Sequence, residues 1–282
     1  MNVFKLVFND ITEGVIKNKR FISVPLVSIF ACMVADIKIN NYIFGCQLSV
    51  KRTAFDVFAE IFHGIDPLIR QQSFQLPYMW IGIFMCILFI AFDYINKDIS
   101  QFGIQVVTRL KSRKEWWYSK CISNIVTSLC YYLIFIAVVI IFCLINRYDL
   151  SLQNTPEISQ LLSTSGIYSY KQLTVFTNKE VIIQIVSPLI LLITLNLMQM
   201  MLSLIIKPAY SIVITMGILL IGLFIDNVYA FSRMGMCMMS NIYYTDGYDL
   251  IKGSIVCIVI IITSISLGAC IFERYDILPG KE

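Results

Sequence analysis

The sequence predicts an all-α membrane protein with six transmembrane helices, an N-terminal interfacial helix and a cytoplasmic helical segment between spans two and three. Of its 282 residues, 58% belong to the hydrophobic set and only 14% are charged. Soluble domains carry roughly 25% charged residues, so this chain could not cover a water-facing surface of ordinary size. The mean hydropathy of +0.76 also indicates a membrane protein. We therefore treat residues 1–282 as one transmembrane domain.

The first 20 residues predict a helix that lies at the membrane interface. Phe4, Val7, Phe8 and Ile11 recur at helical spacing, and charged residues occupy the other sides. A secretory signal peptide is the competing interpretation. Its charged region would be unusually long, and the apolar run that begins at Phe21 lacks a small-residue cleavage pattern.

Six apolar runs predict the transmembrane helices. They cover residues 21–36, 77–95, 121–145, 181–206, 209–225 and 254–272. The first run is short, because a helix needs about 20 apolar residues to cross a bilayer. Pro77 stands where a helix start tolerates proline, and Lys207-Pro208 marks a tight connection between spans four and five.

The three loops on the outer side carry weaker signals. Phe55, Phe58 and Phe62 predict a second surface helix in the first outer loop. The 146–180 segment is polar and too poor in apolar residues to build a core of its own. The 226–253 segment predicts short helices that dip into the outer leaflet.

The distribution of Lys and Arg places both termini in the cytoplasm. Of the 22 basic residues, 13 fall in the predicted cytoplasmic segments and nine in the longer outer loops. Cytoplasmic segments of membrane proteins carry this excess. We therefore interpret the net charge of +4 as a topology signal and expect no nucleic-acid partner.

The sequence gives little support for a catalytic site or a metal site. The chain has one histidine, His63, which we expect to be a polar surface residue, so a Ser-His pair or a His-based metal centre is poorly supported. No Gly-x-x-x-x-Gly-Lys-Ser/Thr loop occurs. We expect no enzyme activity, metal or cofactor in this chain. Cys46 and Cys237 fall in predicted outer loops, and the sequence leaves open a disulfide between them.

The middles of the spans are almost free of charge, whereas ion-coupled carriers usually need ionisable groups there. Asn196 and Gln199 in span four predict hydrogen bonds between helices, with a substrate pathway as the alternative. Met198 and Met201 beside them indicate adaptable packing first, a surface for amphipathic substrates second and a Cu(I) site third. These four residues are the candidate substrate-pathway set.

The strongest polar interruption is the 96–120 segment, which has two halves. In the first half, Phe102, Val106 and Leu110 lie at helical spacing and predict a surface helix. The second half, 111–120, is basic and aromatic, as expected for a chain that re-enters a membrane from the cytoplasm. We interpret it as an anchor that fixes the orientation.

Two short motifs carry a resemblance to a known family. Asp98 and Gly103, then residues 108–113 and Lys120, resemble an acidic residue followed by a glycine, a short basic turn and a lysine opening the third span. Residues 272–277 resemble an F-x-R-x-D-I ending. With the order of its parts, the chain resembles the permease subunit of ATP-binding-cassette exporters of the type-2 permease class. It departs from that pattern where Ile104 replaces a threonine and Lys111 replaces a proline.

The resemblance implies a dimer of permeases, identical or homologous, docked on two separate ABC-type ATPase subunits that bind ATP and magnesium. It also implies that the first half of the 96–120 segment is a coupling helix. The residues expected to couple to the ATPase are Asp98, Phe102, Gly103, Val106, Arg109, Lys111 and Arg113. The alternative is that the basic residues among them contact lipid headgroups and only fix the topology.

The expected function is export through a bacterial plasma membrane. The substrate would be an amphipathic peptide, such as a bacteriocin or toxin, or a lipid-like molecule. A non-transporting membrane scaffold or sensor is the alternative, and an ion-coupled carrier is the third candidate.

Overall fold

The apolar runs of the sequence fold into helices. The computed structural model describes residues 7–8, 10–45, 50–65, 76–92, 95, 98–99, 112–163, 175–225, 229–243 and 247–274. The α-helices in these residues are α1 (Ser23–Gly45), α2 (Ala54–Ile61), α3 (Tyr78–Ile90), α4 (Arg113–Ile145), α5 (Pro156–Ser163), α6 (Asn178–Leu202), α7 (Pro208–Phe224) and α8 (Leu250–Glu273). The described residues contain only isolated β-bridges and no strand. The prediction of an all-helical chain is thus confirmed for them.

Four helical stretches are long and apolar enough to cross a membrane. They are Lys19–Gly45, Arg113–Ile145, Asn178–Leu202 and Leu250–Glu273. The apolar helices α3 and α7 have 13 and 17 residues and are shorter. These helices indicate a multi-pass membrane protein, whereas the count of six spans stays a prediction. Large apolar side chains such as Leu133, Val213 and Ile262 are exposed on the bundle surface, as a lipid-facing surface requires.

The boundaries of the last three predicted spans agree with α6, α7 and α8 to within four residues at each end. The first predicted span ends too early, because α1 continues to Gly45. The polar residues that suggested a loop there have partners: Asn40 donates to Asp36, and Lys38 pairs with Glu60. Pairing inside the protein lets the helix continue where the sequence alone indicates a break.

The third predicted span ends at Ile145 as expected, but α4 begins eight residues earlier than predicted, at Arg113. Ser112 is its N-cap and accepts a hydrogen bond from the backbone N–H of Glu115. The second predicted span is shorter than expected, since α3 ends at Ile90.

Contacts between the helices gather at the two ends of the bundle. We call them the terminal end, which holds residues near both ends of the described chain, and the loop end, which holds the predicted outer loops. At the terminal end, Asn18 contacts the last turn of α3, and Lys114 at the start of α4 contacts Glu273 at the end of α8. At the loop end, α2 lies against the 146–163 segment, where the backbone N–H of Ala54 donates to Asp149. The second outer loop therefore packs with the first instead of remaining a separate polar loop.

The surface location predicted for α2 is wrong. All eight of its residues are buried, including Asp56 and Glu60. Thr53 caps the helix, and both Thr155 groups, N–H and hydroxyl, donate to the Asp56 carboxylate at 3.0 and 2.7 Å. The polar side of α2 is thus satisfied by protein groups, so the helix can be buried on every side.

The 229–243 segment also lies inside the bundle. It contains a short 3₁₀ helix, Phe231–Gly235, whose Gly235 carbonyl accepts a hydrogen bond of 2.9 Å from the indole of Trp80. Short helices were predicted here. Met234, Met236 and their neighbours are buried in the main apolar core, as the packing interpretation of such methionines requires.

Candidate functional site

The most unusual side chain at the terminal end is Lys120, a lysine that is only 1% exposed. Its Nζ lies 2.7 Å from Asp10 Oδ1 and 2.9 Å from Asp98 Oδ2. The ammonium also lies 5.2 Å from the centre of the Trp116 ring, within the range of a cation–π contact. We call Asp10, Asp98 and Lys120 the terminal cluster.

Each member of the terminal cluster comes from a different part of the chain. Lys120 lies one turn after Trp116 on α4, so both side chains leave the helix on the same face. Asp10 belongs to the N-terminal helical turn and also accepts a hydrogen bond from Ser119. Asp98 lies near the start of the 96–120 segment. Burying one charge costs several kcal/mol unless it is paired, and here two carboxylates surround one ammonium.

The terminal cluster therefore joins three segments that the sequence separates. Asp10 is buried while Phe8, on the apolar stripe of the same helix, is 74% exposed. The N-terminal helix thus turns a polar face towards the bundle. Because Lys120 and Asp98 are in contact, the two ends of the 96–120 segment are held together.

The two tryptophans of the 111–120 half do not lie at the lipid surface as the predicted membrane anchor requires, whereas Tyr118 is exposed. Trp116 and Trp117 are both fully buried. Trp117 donates a hydrogen bond of 2.8 Å to the carbonyl of Ile265, and its ring lies so close to Gly268 that a Cβ there would overlap it. Trp116 stacks on Phe272 at a centroid distance of 4.4 Å. Packing between α4 and α8 takes these rings away from the lipid.

A second polar feature is a cavity of about 30 Å³ among the C-terminal end of α3, the middle of α4 and the last two turns of α6. Its polar side chains are Asn18, Asn124, Thr127, Asn196, Gln199 and Ser203. Asn124, Asn196 and Gln199 are at most 5% exposed. We call this space the amide cavity.

The sequence interpretation of Asn196 and Gln199 as interhelical hydrogen-bonding groups is right for their nitrogens. Asn196 Nδ2 donates to Ser128 Oγ at 2.9 Å, and Gln199 Nε2 donates to the carbonyl of Leu88 at 3.2 Å. Their oxygens, with Asn124 Oδ1, are buried and have no hydrogen-bond partner among the described residues. These two residues lie in one site with Asn124, which the sequence did not single out.

The other predicted pathway residues lie elsewhere. Met198 is buried in the main core, and Met201 packs against the smaller apolar cluster around Trp116 and Trp117. Met200, between them, lines the amide cavity and accepts a hydrogen bond from Asn124 through its sulfur.

Two of the predicted ATPase-coupling residues can be placed. Asp98 belongs to the terminal cluster, and Arg113 Nη1 donates to the carbonyl of Glu273 at 3.3 Å. The remaining five lie outside the described residues: Phe102, Gly103, Val106, Arg109 and Lys111.

The loop end holds a buried carboxylate, whereas the terminal end holds a buried ammonium. Glu60 is 4% exposed, with Lys38 Nζ at 2.9 Å from Oε1 and His63 Nδ1 at 3.4 Å from Oε2. Burial by itself raises the pKa of the Glu60 carboxyl, but His63 and Lys38 outweigh it, so the pKa lies below its ordinary value. His63 was expected on the surface and is instead half-buried against Glu60. We call Glu60, Lys38 and His63 the loop cluster.

Two further predictions concern metal binding and a disulfide. Within the residues that the structure describes, no three His, Cys, Asp or Glu side chains lie close enough to hold a metal ion. Cys237 is a buried free thiol, whereas Cys46 lies outside the described residues. Burial raises the pKa of the Cys237 thiol to about 12, so it stays protonated at neutral pH.

Comparison with known proteins gives one match. No curated protein and no solved structure matches the chain. One family model, described as a protein of unknown function (DUF2705), matches residues 28–278. That match extends from α1 into the residues after α8, and covers the terminal-cluster residues Asp98 and Lys120 and all the amides of the cavity except Asn18. The chain therefore belongs to the DUF2705 family.

Proposed function

We propose that the chain is the membrane-spanning subunit of an ATP-driven exporter. Two permeases, identical or homologous, would form the pathway in a bacterial plasma membrane with both termini in the cytoplasm. Two ABC-type ATPase subunits would supply ATP hydrolysis. The substrate class that fits the apolar bundle is an amphipathic peptide or a lipid-like molecule.

The observation that carries this proposal is the contact between Asp98 and Lys120 at 2.9 Å. Both residues belong to the motif on which the resemblance to exporter permeases depends. In a coupling segment, the two ends must move with the membrane helices, or the motion of the ATPase would be lost in a slack loop. An ion pair between the buried ammonium of Lys120 and the partly exposed carboxylate of Asp98 supplies that connection.

The length of α4 supports the same mechanism. A helix of 33 residues is about 50 Å long, whereas the hydrocarbon core of a bilayer is about 30 Å thick. The first turns of α4, with Arg113 and Lys114, can therefore project beyond the membrane as a rigid continuation of the span. A force on the 96–120 segment would then reach α4 through Lys120 as well as through the backbone.

The first test is co-purification. Tagged chain isolated from its native membranes should bring down an ATPase that contains a Gly-x-x-x-x-Gly-Lys-Ser/Thr loop. If no ATPase is recovered under conditions that keep other exporters intact, the exporter proposal fails. The scaffold or sensor alternative would then remain, while transport that resists ATP depletion and stops with an uncoupler would favour an ion-coupled carrier.

The second test measures coupling in the assembled complex. Asp98→Asn removes one partner of Lys120, and the side chain of Asp98 is 23% exposed, so the variant should fold. We expect it to lower substrate-stimulated ATP hydrolysis several-fold while the basal rate stays unchanged. Lys114→Met is the matched control, since Lys114 forms an exposed pair with Glu273. Equal stimulation in both variants would show that the terminal cluster does not couple.

A third variant addresses the coupling helix itself. Phe102→Asp combined with Gly103→Pro should abolish substrate-stimulated hydrolysis, because it places a charge on the apolar stripe and a proline within the predicted helix. Normal stimulation in this variant would show that the 96–120 segment is not the coupling element.

A further inference from the structure

We propose that the amide cavity binds one small monovalent cation. The proposal stands apart from the exporter function and depends on three properties of the cavity: unpaired oxygens, helix ends that favour positive charge, and uncharged side chains in the described part of its lining. A cation with this chemistry would be Na⁺, K⁺, or an ammonium group of similar size.

The unpaired oxygens come first. Asn124, Asn196 and Gln199 each use the amide nitrogen within the protein and leave the carbonyl oxygen without a partner among the described residues. A buried acceptor without a partner costs free energy, and three of them belong to side chains that line the cavity. Something that attracts oxygen lone pairs would remove that cost.

The orientation of each amide is fixed by its neighbours. Asn124 Nδ2 faces the backbone carbonyl of Asn196, and Gln199 Nε2 faces the backbone carbonyl of Leu88; a carbonyl accepts only. Asn196 Nδ2 faces Ser128 Oγ, whose proton is already donated to the carbonyl of Asn124. Flipping any of the three would therefore set an oxygen against an acceptor.

The other polar side chains of the cavity each donate a proton to a backbone carbonyl. Thr127 Oγ1 donates to the carbonyl of Ser123, and Ser203 Oγ donates to the carbonyl of Met200. Asn18 Nδ2 donates to the carbonyl of Ile90. The three amide oxygens are therefore the acceptors of this site that keep no partner among the described residues. A cation needs acceptors alone, so the three oxygens can serve as its ligands.

The surrounding helices favour positive charge. The cavity is lined by Ile90, Ala91 and Phe92 at the C-terminal end of α3, and by Ser203 at the C-cap of α6. A helix C-terminus carries a partial negative charge of about half an elementary unit, so two of them add to the field of the amide oxygens. Discontinuous helices in transporters coordinate cations with such ends.

The neutral ligands of the cavity favour a monovalent ion, and its volume limits the size of that ion. All described residues that line the cavity are uncharged. Carboxylates are the usual oxygen ligands that offset the dehydration of Mg²⁺ or Ca²⁺, so neutral oxygens favour a monovalent ion. The cavity volume of about 30 Å³ exceeds the space that one water-sized occupant needs, so the cavity accommodates one such ion.

The test uses the full chain in lipid nanodiscs and measures the midpoint of thermal unfolding. Na⁺, K⁺ or NH₄⁺ is titrated against choline, which is too large for the cavity, at constant chloride and ionic strength. A bound cation should raise the midpoint by on the order of 5 °C at a concentration one hundred times its Kd, and the effect should saturate. An identical response to choline would overturn the proposal.

Two variants on α6 assign the effect to the cavity. Gln199→Met removes one oxygen ligand and should abolish at least half of the cation-specific shift. Gln184→Met is the matched control, because Gln184 is also buried, with both amide atoms unpartnered among the described residues, yet does not line the cavity. A loss of the shift in both variants, or in neither, would contradict the assignment.

A direct measurement covers the case in which Gln199→Met does not fold. Binding of radioactive ²²Na⁺ to the wild-type protein, with competition by K⁺, NH₄⁺ or methylammonium, gives the affinity and the order of preference. Preference for the alkali ions identifies a bound metal cation, and preference for the ammonium probes identifies an amine-bearing ligand. Absence of saturable binding by all four probes would overturn the proposal.

Discussion

The terminal cluster and the loop cluster bury charge in opposite ways. In the first, a fully buried lysine is held by two carboxylates; in the second, a fully buried glutamate is held by Lys38 and His63. Lys120 and Asp10 are 110 positions apart in the chain, whereas Glu60 and His63 are one helical turn apart. The terminal cluster therefore connects distant segments, and the loop cluster mostly fastens one short helix to its neighbour.

The two clusters also differ in access to water. Water does not reach the ammonium of Lys120, since its side chain is 1% exposed. Lys38, by contrast, is 40% exposed and can be solvated when its partner is removed. Loss of a partner should therefore be more costly at the terminal end than at the loop end, and variants of the two clusters can measure this difference.

The largest effect is expected for Lys120→Met. Removing the ammonium takes away the cation that Asp10 and Asp98 share, and breaking a buried ion pair typically costs about 3–5 kcal/mol. Thermal unfolding in detergent should show a corresponding fall in stability. Lys114→Met, which breaks an exposed pair with Glu273, should leave the stability almost unchanged. Equal losses in the two variants would contradict the burial of Lys120.

Glu60→Gln should have the next largest effect. The amide keeps the size of the side chain but gives up the charge, so the loss should be about 2 kcal/mol at neutral pH, the value of a hydrogen bond to a charged group. The expected loss is smaller than for Lys120→Met, because Lys38 can turn to water. A loss at Glu60 that exceeds the loss at Lys120 would reverse the comparison between the clusters.

The cost of Glu60→Gln should depend on pH. The pKa of Glu60 lies below its ordinary value in the folded protein, so its contribution is complete above about pH 4.5 and is lost as the pH falls through the folded-state pKa. Burial raises the pKa of Asp56 despite its hydrogen bonds, which acts in the opposite direction. Because both proteins retain Asp56, the difference between wild type and variant isolates Glu60. A difference that grows towards acid pH would contradict this assignment.

The helices could be predicted from the sequence because their signal is local. Apolar runs and helix-start residues located α6, α7 and α8 to within a few positions. The burial of α2 could not be predicted in the same way. Its three phenylalanines indicate one apolar face, but Asp56 and Glu60 on the other face have partners, Thr155 and Lys38, that lie far away in the sequence.

In the candidate sites too, some residues have a local signal in the sequence and others depend on partners that are distant in the chain. Asn196 and Gln199 were found because amides are rare in an apolar run, and the structure places both in one cavity. Asn124 was missed because nothing in span three shows which of its polar residues faces span four. The pairing of Lys120 with Asp10 could not be found from spacing at all. Only the folded chain brings together groups so distant in sequence.

A smaller effect should separate the two carboxylates of the terminal cluster. Asp10→Asn leaves Lys120 with Asp98 and should cost about 1.5 kcal/mol, because a charged hydrogen bond in a buried site is lost. Asp98→Asn should cost less than about 1 kcal/mol, since the side chain of Asp98 is 23% exposed. Thermal unfolding of both variants measures the order. The reverse order would show that the 96–120 segment, and not the N-terminal helix, provides the main support of Lys120.

The smallest effect is expected for His63→Gln at the loop end. Glutamine keeps a donor within reach of Glu60, and Lys38 remains at 2.9 Å, so the fall in stability should be at most about 0.5–1 kcal/mol. The variant also tests the pKa of Glu60, because the imidazole of His63 is one of the two groups that lower it. The acid loss of stability should then begin at a higher pH in His63→Gln than in wild type, as measured by unfolding midpoints across the acid range. An unchanged acid profile would mean that Lys38 alone holds the buried carboxylate, and the loop cluster would reduce to a single ion pair.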